Sequence, residues 1–341
     1  MKRILVTGAT GFLGAYVLKE FIDNYEIIAI GRNEKKLLQI KNKYNDKNIS
    51  VMKVDLSDID DVLKLPNVDI VIHCAALSTV WGNKKEFIND NVLATKNIVK
   101  YSKEKGVNKI VHISTPSIYT EKKDRFNIKE TEILEHNKLN YYIETKIMAE
   151  KIILDAKNDT LEVVIIRPKG LIGIGDTSIL PRIIESNKKI GIPIFKDKED
   201  ILLDMTSVEN VAYSILLCAE KSNISGEIFN ITNGEPMYKK QLLSYVSKNL
   251  GINFKYKLLS FNKIYFVALI LEIIYKLFKI NKEPLLTKYT VCTLSFSQTL
   301  NIEKAVNILG YRPRISLEDE IKRFGQYYKN NKNELEVLWK Y

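Results

Sequence analysis

The segment Thr7–Gly14, which reads TGATGFLG, decides the fold of this 341-residue chain. It follows the β-branched run Arg3–Thr7 and opens a helical pattern near Leu13–Asn24. Glycines spaced three apart at such a junction allow a tight turn, close backbone approach to a pyrophosphate, and close packing of helix on strand. The free amides and the dipole at the helix start favour the phosphate charge. The segment therefore predicts a dinucleotide-binding site, with the cofactor-binding residues Gly8, Thr10, Gly11, Phe12, Leu13 and Gly14.

The rest of the chain continues this alternation of strand and helix, which is typical of a doubly wound parallel sheet. The predicted strands are Arg3–Thr7, Glu26–Ile30, Ser50–Val54, Ile70–His73, Lys109–Ser114 and Glu162–Arg167. The predicted helices lie near Leu13–Asn24, Glu34–Tyr44, Glu86–Lys105 and Tyr142–Ala156. After Pro168 the strand pattern is too sparse for an independent domain. We therefore predict an α/β protein with a Rossmann-type doubly wound parallel sheet over 1–168, to which later segments can return. Residues 169–341 would form mainly a smaller C-terminal substrate-binding lobe and terminal helices.

Composition places the chain among globular proteins and excludes several classes of function. Hydrophobic residues make up 45% and charged residues 27%, which are ordinary values that exclude disorder and fibrous repeats. The net charge is +11, but the lysines are scattered and form no basic stripe with interleaved aromatics, so nucleic acid is not an expected partner. Three widely spaced cysteines (Cys74, Cys218 and Cys292) favour a cytoplasmic protein without a disulfide framework. The histidines lack ligand spacing, so no metal is expected.

The ends of the second and third predicted strands indicate which dinucleotide binds. An acid at the end of the second strand usually holds the ribose 2′-hydroxyl of NAD, whereas an arginine there accommodates the 2′-phosphate of NADP. This chain has Arg32, so NADP is the preferred cofactor and NAD the alternative. Asp55 ends the third strand and is expected to accept a hydrogen bond from the adenine amine, while Asp58 is expected to cap the next helix.

A tyrosine and a lysine one helical turn apart, Tyr142 and Lys146, form the candidate catalytic pair. A phenol titrates near ~10, and a neighbouring ammonium is expected to lower that pKa. The lysine can also hold the nicotinamide ribose. The fifth predicted strand ends in hydroxyl residues within Ser114–Tyr119, one of which could hold a substrate oxygen while Tyr142 exchanges its proton.

Together these pieces resemble an extended short-chain dehydrogenase/reductase of the NAD-dependent epimerase/dehydratase superfamily. The resemblance covers nearly the whole chain, and its motifs occur in family order. Besides the glycine segment, the matching pieces are Asp55-Leu56, His73–Ala76, Asn91–Asn97, Thr115, Tyr142, Lys146, Arg167–Gly170 and Leu309–Pro313.

The resemblance implies roles for individual residues. It makes Thr115, which lies four residues before Tyr119, the catalytic hydroxyl, Tyr142 the acid/base, and Lys146 the residue that tunes it. It makes Asn91 a structural support. It adds four residues to the cofactor-binding set that already holds Lys146: Leu56, Ala75, Ala76 and Pro168. Hydride would pass between a substrate carbon and the nicotinamide, and a homodimer would be the usual family assembly.

The same resemblance narrows the substrate. Dehydratases of the superfamily carry Asp-Glu after the catalytic threonine, whereas Thr115 is followed by Pro116-Ser117. The segment Ile166–Asp176 resembles the 3-beta-hydroxysteroid dehydrogenase-like branch, which implies a small hydrophobic substrate, steroid-like or a long-chain keto compound. Ser78, Trp81 and Ser117 are the candidate substrate residues, although packing of Trp81 within the protein is an equal alternative.

Two further hypotheses stay open beside an NAD(P)-dependent alcohol/ketone oxidoreductase. A nucleotide-sugar epimerase would oxidise and re-reduce one carbon without accumulating reduced cofactor. A non-catalytic NAD(P)-binding sensor would bind nucleotide without chemistry, although members that lost catalysis often lose the tyrosine or lysine that this chain keeps.

Charge collects at one place only, around the apolar segment 263–280. Residues 251–282 hold six lysines and one glutamate, and Glu272, Lys276 and Lys279 are expected to share one narrow polar face of a helix. The uncharged run Ile264–Leu271 is far shorter than the ~20 residues that span a bilayer. Peripheral membrane contact, a dimer interface, a hydrophobic lid and ordinary core packing are the alternatives for this segment.

Overall fold

The computed structural model describes residues 1–195 and 200–338, and all structural statements concern these residues. The strands are β1 (Arg3–Thr7), β2 (Glu26–Gly31), β3 (Ile49–Lys53), β4 (Ile70–His73), β5 (Lys109–Ile113), β6 (Arg125–Ile128), β7 (Glu162–Pro168), β8 (Leu171–Ile172), β9 (Ile192–Phe195), β10 (Leu202–Leu203), β11 (Thr206–Ser207), β12 (Ile228–Ile231), β13 (Met237–Tyr238), β14 (Tyr256–Leu259) and β15 (Gln298–Leu300).

The helices begin directly after the glycine segment. They are α1 (Phe12–Phe21), α2 (Glu34–Lys43), α3 (Ile59–Leu63), α4 (Lys84–Phe87), α5 (Ala94–Glu104), α6 (Tyr141–Ala156), α7 (Leu180–Lys189), α8 (Val208–Glu220), α9 (Lys239–Leu250), α10 (Phe261–Leu277), α11 (Lys288–Ser295) and α12 (Leu317–Leu338). A π-helical turn, Ile88–Leu93, joins α4 to α5 in one continuous helical segment. A 3₁₀ turn, Pro116–Tyr119, follows β5, and a second π-helical turn covers Ala305–Leu309.

A seven-stranded parallel sheet in the order β12-β7-β5-β4-β1-β2-β3 forms the centre of the protein. Its strands are continuous β-branched runs because both faces are covered, which is the usual composition of a buried parallel sheet. This confirms the predicted doubly wound α/β fold. Six of the seven strands match the predicted ones within one residue at either end. The seventh, β12, lies beyond Pro168 and pairs with β7 from Ile228 to Ile231.

Alternation along each strand divides the core between the two faces of the sheet. Ile4 and Val6 of β1 pack with α1 and α8, whereas Leu5 packs with α3, α5 and α6 on the other face. The doubly wound arrangement leaves the carboxyl ends of the strands open at one edge, where ligands bind in such sheets.

The remaining strands and helices build a smaller lobe over that edge. A four-stranded sheet in the order β13-β10-β15-β6 and two short parallel pairs, β8 with β11 and β9 with β14, frame it. One apolar cluster joins α7, α9 and α12, and another joins β9, α10 and α11 around Phe195 and Phe261.

A buried ion pair joins the end of the sheet to the helix that carries the predicted catalytic pair. Arg167, the penultimate residue of β7, donates two hydrogen bonds to Glu150 of α6, Nε to Oε1 at 2.8 Å and Nη2 to Oε2 at 2.6 Å. Both side chains are almost fully buried. Nη1 also donates to the Glu130 carbonyl at 2.8 Å and to the Tyr119 hydroxyl. This one guanidinium therefore ties β7, α6 and the segments around Tyr119 and Glu130 together.

Breaking this pair should destabilise the protein strongly, because it leaves a buried guanidinium without its counter-charge. Glu150→Gln is expected to lower the free energy of unfolding by about 3–5 kcal/mol. Urea denaturation followed by circular dichroism measures the change. The matched control is Asp23→Asn, which breaks the exposed pair with Lys47 and should cost less than about 1 kcal/mol. Equal costs for the two variants would contradict a structural role for the buried pair.

Candidate active site

The glycine segment forms a tight cradle between β1 and α1. Gly8 has a φ of +66°, and a Cβ placed on it would lie 2.8 Å from the Ala75 nitrogen. A Cβ on Gly14 would lie 2.2 Å from the Gly8 carbonyl oxygen, so neither position admits a side chain. Gly11 is the N-cap of α1 and has no side chain to occupy the amides there. These amides and the bare backbone fit a dinucleotide pyrophosphate.

The end of β4 is locked to this cradle by a chain of hydrogen bonds. The Thr7 hydroxyl lies 2.8 Å from His73 Nδ1 and accepts a hydrogen bond from the Ala75 amide at 3.1 Å. The other ring nitrogen of His73 lies 3.1 Å from the Thr95 hydroxyl. Burial lowers the pKa of His73 to about 3, so its ring is neutral, and through Thr7 it helps to hold Ala75 beside Gly8.

The residues predicted to bind the adenosine half line a cleft of about 400 Å³. The cleft is lined by Arg32, Asp55, Ser57, Leu77, Glu86, Asn89 and Asp90. Asp55 accepts hydrogen bonds from the Ser57 amide and hydroxyl at 2.9 and 2.8 Å, which hold the pKa of its carboxyl below the usual value. The backbone of Leu56 is held in place by α5, since its carbonyl accepts a hydrogen bond from Asn97. Asp58 caps α3 as expected, through the amides of Asp60 and Asp61.

Arg32 is less free than the sequence suggests. Its two terminal nitrogens bind both carboxylate oxygens of Asp90, at 3.1 and 3.0 Å. Asp90 was not predicted, because the motif Asn91–Asn97 begins one residue later and nothing in the sequence pattern marks an acid opposite Arg32.

Asn91 lies in the π-helical turn between α4 and α5 and holds the loop after β4 against α6. Its Oδ1 accepts a hydrogen bond from the Leu77 amide at 2.7 Å, and its Nδ2 donates to the Leu77 carbonyl and to the Thr145 hydroxyl. The side chain thus fixes the distance between the cofactor loop and the helix that carries Tyr142 and Lys146.

Four hydroxyl groups meet at the end of β5. Thr115 Oγ1 donates to Ser117 Oγ at 3.0 Å, and Ser117 Oγ lies 2.7 Å from the hydroxyl of Tyr289 on α11. A hydrogen bond with the Thr115 side chain lowers the pKa of Tyr142, but burial outweighs it and raises that pKa to about 12. Tyr142 is therefore a protonated phenol at neutral pH. Tyr289 was not predicted, since it comes from a stretch without a motif, far along the chain.

Lys146 is buried and turns toward the end of β5. Its Nζ donates to the Ile113 carbonyl at 2.7 Å and lies 3.3 Å from His112 Nε2. Burial lowers the pKa of Lys146 to about 8. The ammonium of Lys146 was expected to lower the pKa of Tyr142. That expectation is wrong, because desolvation of the buried phenol dominates and raises its pKa. The Nδ1 of His112 has no hydrogen-bond partner within the described residues.

The remaining predicted residues lie around this centre. Pro168 is buried at the end of β7, and Ser78 is exposed on the loop after β4. Trp81 packs against α10: its Nε1 donates to the Ile280 carbonyl at 3.0 Å, and its ring centroid lies 6.0 Å from that of Tyr275. The structure thus uses Trp81 for packing against α10. Ser117 is buried and positions Thr115.

The geometry combines a dinucleotide cradle, a protonated phenol beside a threonine hydroxyl, and a buried lysine one turn from the phenol. Such an arrangement suits transfer of a proton to or from an oxygen while a hydride moves to or from the adjoining carbon. No group of three or more His, Cys, Asp or Glu side chains in the described ranges could hold a metal ion. Within the same residues, no helix combines the length and apolar character needed to cross a membrane.

Comparison with known proteins defines the class. A sequence profile of the 3-beta hydroxysteroid dehydrogenase/isomerase family matches residues 5–261. A sterol-4-alpha-carboxylate 3-dehydrogenase (decarboxylating) from Candida albicans is 31% identical, with 94% of this chain and 96% of that protein covered. A 2-alkyl-3-oxoalkanoate reductase from Shewanella oneidensis is 28% identical, with 95% and 85% covered. The crystal structure of a UDP-glucuronic acid 4-epimerase from Bacillus cereus in complex with NAD superposes with a TM-score of 0.74 at 22% identity, over 96% of this chain and 99% of the other.

Fold and site together define an extended short-chain dehydrogenase/reductase that uses a nicotinamide dinucleotide. The chain belongs to the 3-beta hydroxysteroid dehydrogenase/isomerase family.

The lowered pKa of Lys146 should be visible in the pH dependence of stability. Between about pH 8 and the unfolded value near 10.4, the folded protein holds fewer protons on this lysine than the unfolded chain does. The cost of burying the charge is fully present below about pH 8 and disappears as the pH rises. The unfolding free energy of the wild type minus that of Lys146→Met should therefore increase by up to about 3 kcal/mol across this window.

Urea denaturation at several pH values measures this difference. The matched control is Lys103→Met, which removes an exposed lysine of α5. A wild-type-minus-Lys146→Met difference that stays constant with pH would show that Lys146 pays no desolvation cost in the folded state.

Proposed function

We propose that this enzyme interconverts a secondary alcohol and a ketone on a hydrophobic substrate, with Tyr142 as the acid/base. The observation that carries the proposal is the contact of the Tyr142 and Thr115 side chains at the end of β5, one helical turn from the buried Lys146. Residues with this chemistry in contact at the carboxyl edge of the sheet serve proton exchange with a substrate oxygen.

The proton steps follow from the charges of these groups. In ketone reduction, Tyr142 is protonated, since its pKa is about 12, and gives its proton to the substrate oxygen. Thr115 orients that oxygen. The Thr115 hydroxyl is itself held by its hydrogen bond to Ser117 Oγ at 3.0 Å, and Ser117 Oγ is held by the Tyr289 hydroxyl at 2.7 Å. In alcohol oxidation the phenol must first lose its proton, and nearby positive charge then favours the phenolate.

The cofactor would be held by the glycine cradle, by Ala75 and Ala76, by the cleft of Asp55 and Leu56, and by Lys146 with Pro168 at the nicotinamide end. When bound, it supplies or accepts the hydride. The chain's own residues then place the substrate carbon and keep its oxygen within reach of Tyr142.

The names of two relatives suggest a narrower substrate class. A sterol-4-carboxylate 3-dehydrogenase and a 2-alkyl-3-oxoalkanoate reductase both act on an oxygen-bearing carbon next to the carbon that carries a carboxylate. We extend this to the present chain as a proposal: a 3-hydroxy or 3-oxo carboxylic acid with a large apolar substituent. We place the substrate mouth beside Trp81, where Lys276, which lies 5.9 Å from the ring centroids of Trp81 and Tyr141, would supply a positive charge.

Replacing Tyr142 tests the reaction. Tyr142→Phe should lower kcat for oxidation of a 2-alkyl-3-hydroxy acid by roughly 100- to 10,000-fold, with cofactor affinity retained, because only the proton-transfer group is lost. Turnover is followed by the absorbance of reduced nicotinamide. Tyr141→Phe, the neighbouring tyrosine, is the matched control and should stay active.

Two results would contradict the proposal. Unchanged turnover in Tyr142→Phe would remove the assigned acid/base. Conversion of a UDP-sugar with no accumulation of reduced cofactor, together with no turnover of hydroxy acids or sterols, would identify an epimerase instead.

We also propose a preference for NADP over NAD. Support comes from Arg32, whose guanidinium lies at the rim of the adenosine cleft and is largely exposed there. A 2′-phosphate would have to compete with Asp90 for this guanidinium, so the preference is expected to be modest.

The Arg32–Asp90 pair makes this preference testable by equilibrium binding. Arg32→Ala should weaken NADPH binding by about tenfold or more while changing NADH binding little, since a charge-assisted contact to phosphate is lost. Asp90→Asn should strengthen NADPH binding by freeing the guanidinium. Fluorescence titration of the reduced cofactors measures both, with Lys53→Ala, an exposed lysine paired to Glu34, as the control. Tighter binding of NADH than NADPH by the wild type would overturn the preference.

A further inference from the structure

The outward face of α10 is almost entirely apolar. Phe266 is 61% exposed and Leu277 is 74% exposed, and the same face carries Val267, Ile270, Ile273 and Ile274. Phe278 follows directly and is 73% exposed. We call these exposed apolar residues between Phe266 and Phe278 the α10 surface.

The acidic side chain of α10, Glu272, points into the protein and not toward water. Glu272 is buried and turned toward α11, where it accepts a hydrogen bond from the Lys288 amide at 2.7 Å and pairs with Lys288 Nζ at 3.6 Å. The predicted polar face of Glu272, Lys276 and Lys279 thus includes a buried carboxylate: the helix presents its aliphatic and aromatic side chains outward and its carboxylate inward. Tertiary contacts fix this orientation, since Phe261 and Ala268 on the inner face are buried in the cluster with β9 and α11.

Contiguous apolar surface of this extent is uncommon on a soluble monomer and marks a place where something docks. The chemistry of its surroundings indicates what docks. The segment 251–282 carries Lys255, Lys257, Lys263, Lys276, Lys279 and Lys282, and none of these lysines forms an ion pair within residues 1–195 and 200–338. Glu272, the one glutamate of that segment, is buried and already paired with Lys288, and Glu283, which follows the segment, is paired with Arg182.

We propose that the α10 surface docks on an anionic lipid bilayer, with its apolar side chains in the interface and the lysines at the headgroups. An apolar helix face within a lysine-rich segment whose lysines have no acidic partner matches such a bilayer, whereas a second copy of this chain would bring a second set of the same lysines against them. The helix α10 would lie in the plane of the membrane interface, because it is too short and too charged at its ends to span the bilayer.

Docking in this orientation would place the substrate mouth at the bilayer. The end of α10 contacts the loop after β4, since Trp81 donates to the Ile280 carbonyl and Lys276 lies over the rings of Trp81 and Tyr141. A hydrophobic substrate would then reach the site from the lipid without crossing water. The docking surface itself does not depend on the proposed reaction and is tested without substrate.

Flotation with vesicles tests the proposal directly. Full-length protein is mixed with vesicles of phosphatidylcholine alone or of phosphatidylcholine with phosphatidylglycerol. We expect binding to the anionic vesicles, weakened by added salt and by Lys263→Gln/Lys279→Gln. The variant Ile270→Ser/Ile273→Ser/Leu277→Ser should bind these vesicles about tenfold more weakly or worse, because its buried apolar area in the interface is reduced.

A matched control separates this surface from exposed apolar residues elsewhere. Leu38→Ser/Phe126→Ser replaces side chains that are 53% and 58% exposed on other elements and should bind like the wild type. Circular dichroism and thermal unfolding establish that all variants are folded.

Three outcomes would overturn the proposal. One is no binding of the wild type to anionic vesicles, or equal loss of binding in the control variant. Another is a wild-type dimer that the triple variant converts to a monomer, with no vesicle binding by either, which would assign the α10 surface to a second copy. The third is vesicle binding unchanged in the triple variant but an altered KM for a short water-soluble ketone, which would make α10 a lid.

Discussion

The active site depends on one buried guanidinium. Arg167 at the end of β7 binds Glu150 through two nitrogens, and Glu150 lies one helical turn beyond Lys146 on α6. The same guanidinium binds the Tyr119 hydroxyl, and Tyr119 ends the turn that begins after Thr115. The relative position of the phenol-bearing helix and the threonine-bearing turn is therefore set by a contact made behind the site. Because such a pair is costly to bury and only good geometry offsets that cost, it specifies one arrangement of these elements rather than adding much net stability.

The parts of the fold that follow local rules were predictable from the sequence. The segment Thr7–Gly14 could be recognised because only glycine fits the close approach of Gly8 to Ala75. The strands β1 to β5 and β7 of the central sheet were evident from their β-branched runs, whereas the short strand β6 was not predicted, and Asp58 was recognised as a helix cap. The strand β12 was missed because Ile228–Ile231 is four residues long and sits among segments of no clear period.

Features that depend on long-range contacts were not predictable. Tyr289 meets Ser117 across 172 positions of sequence, and Asp90 meets Arg32 across 58, so no spacing rule relates either pair. The orientation of α10 was not predictable for a related reason. A helical pattern shows which residues share a face, but the pairing of Glu272 with Lys288 decides which face points inward.

The edge of the sheet has a consequence for how the polypeptide is made. The strand β12 covers the outer edge of β7, yet β8, α7, β9, β10, β11 and α8 lie between them in the chain. A ribosome delivers β7 long before its neighbour, so the nascent protein carries an open edge of hydrogen-bonding groups during that interval. The central sheet cannot be completed until Ile231 has been made, and a gene fragment ending at Pro168 would encode a sheet that lacks its edge strand β12.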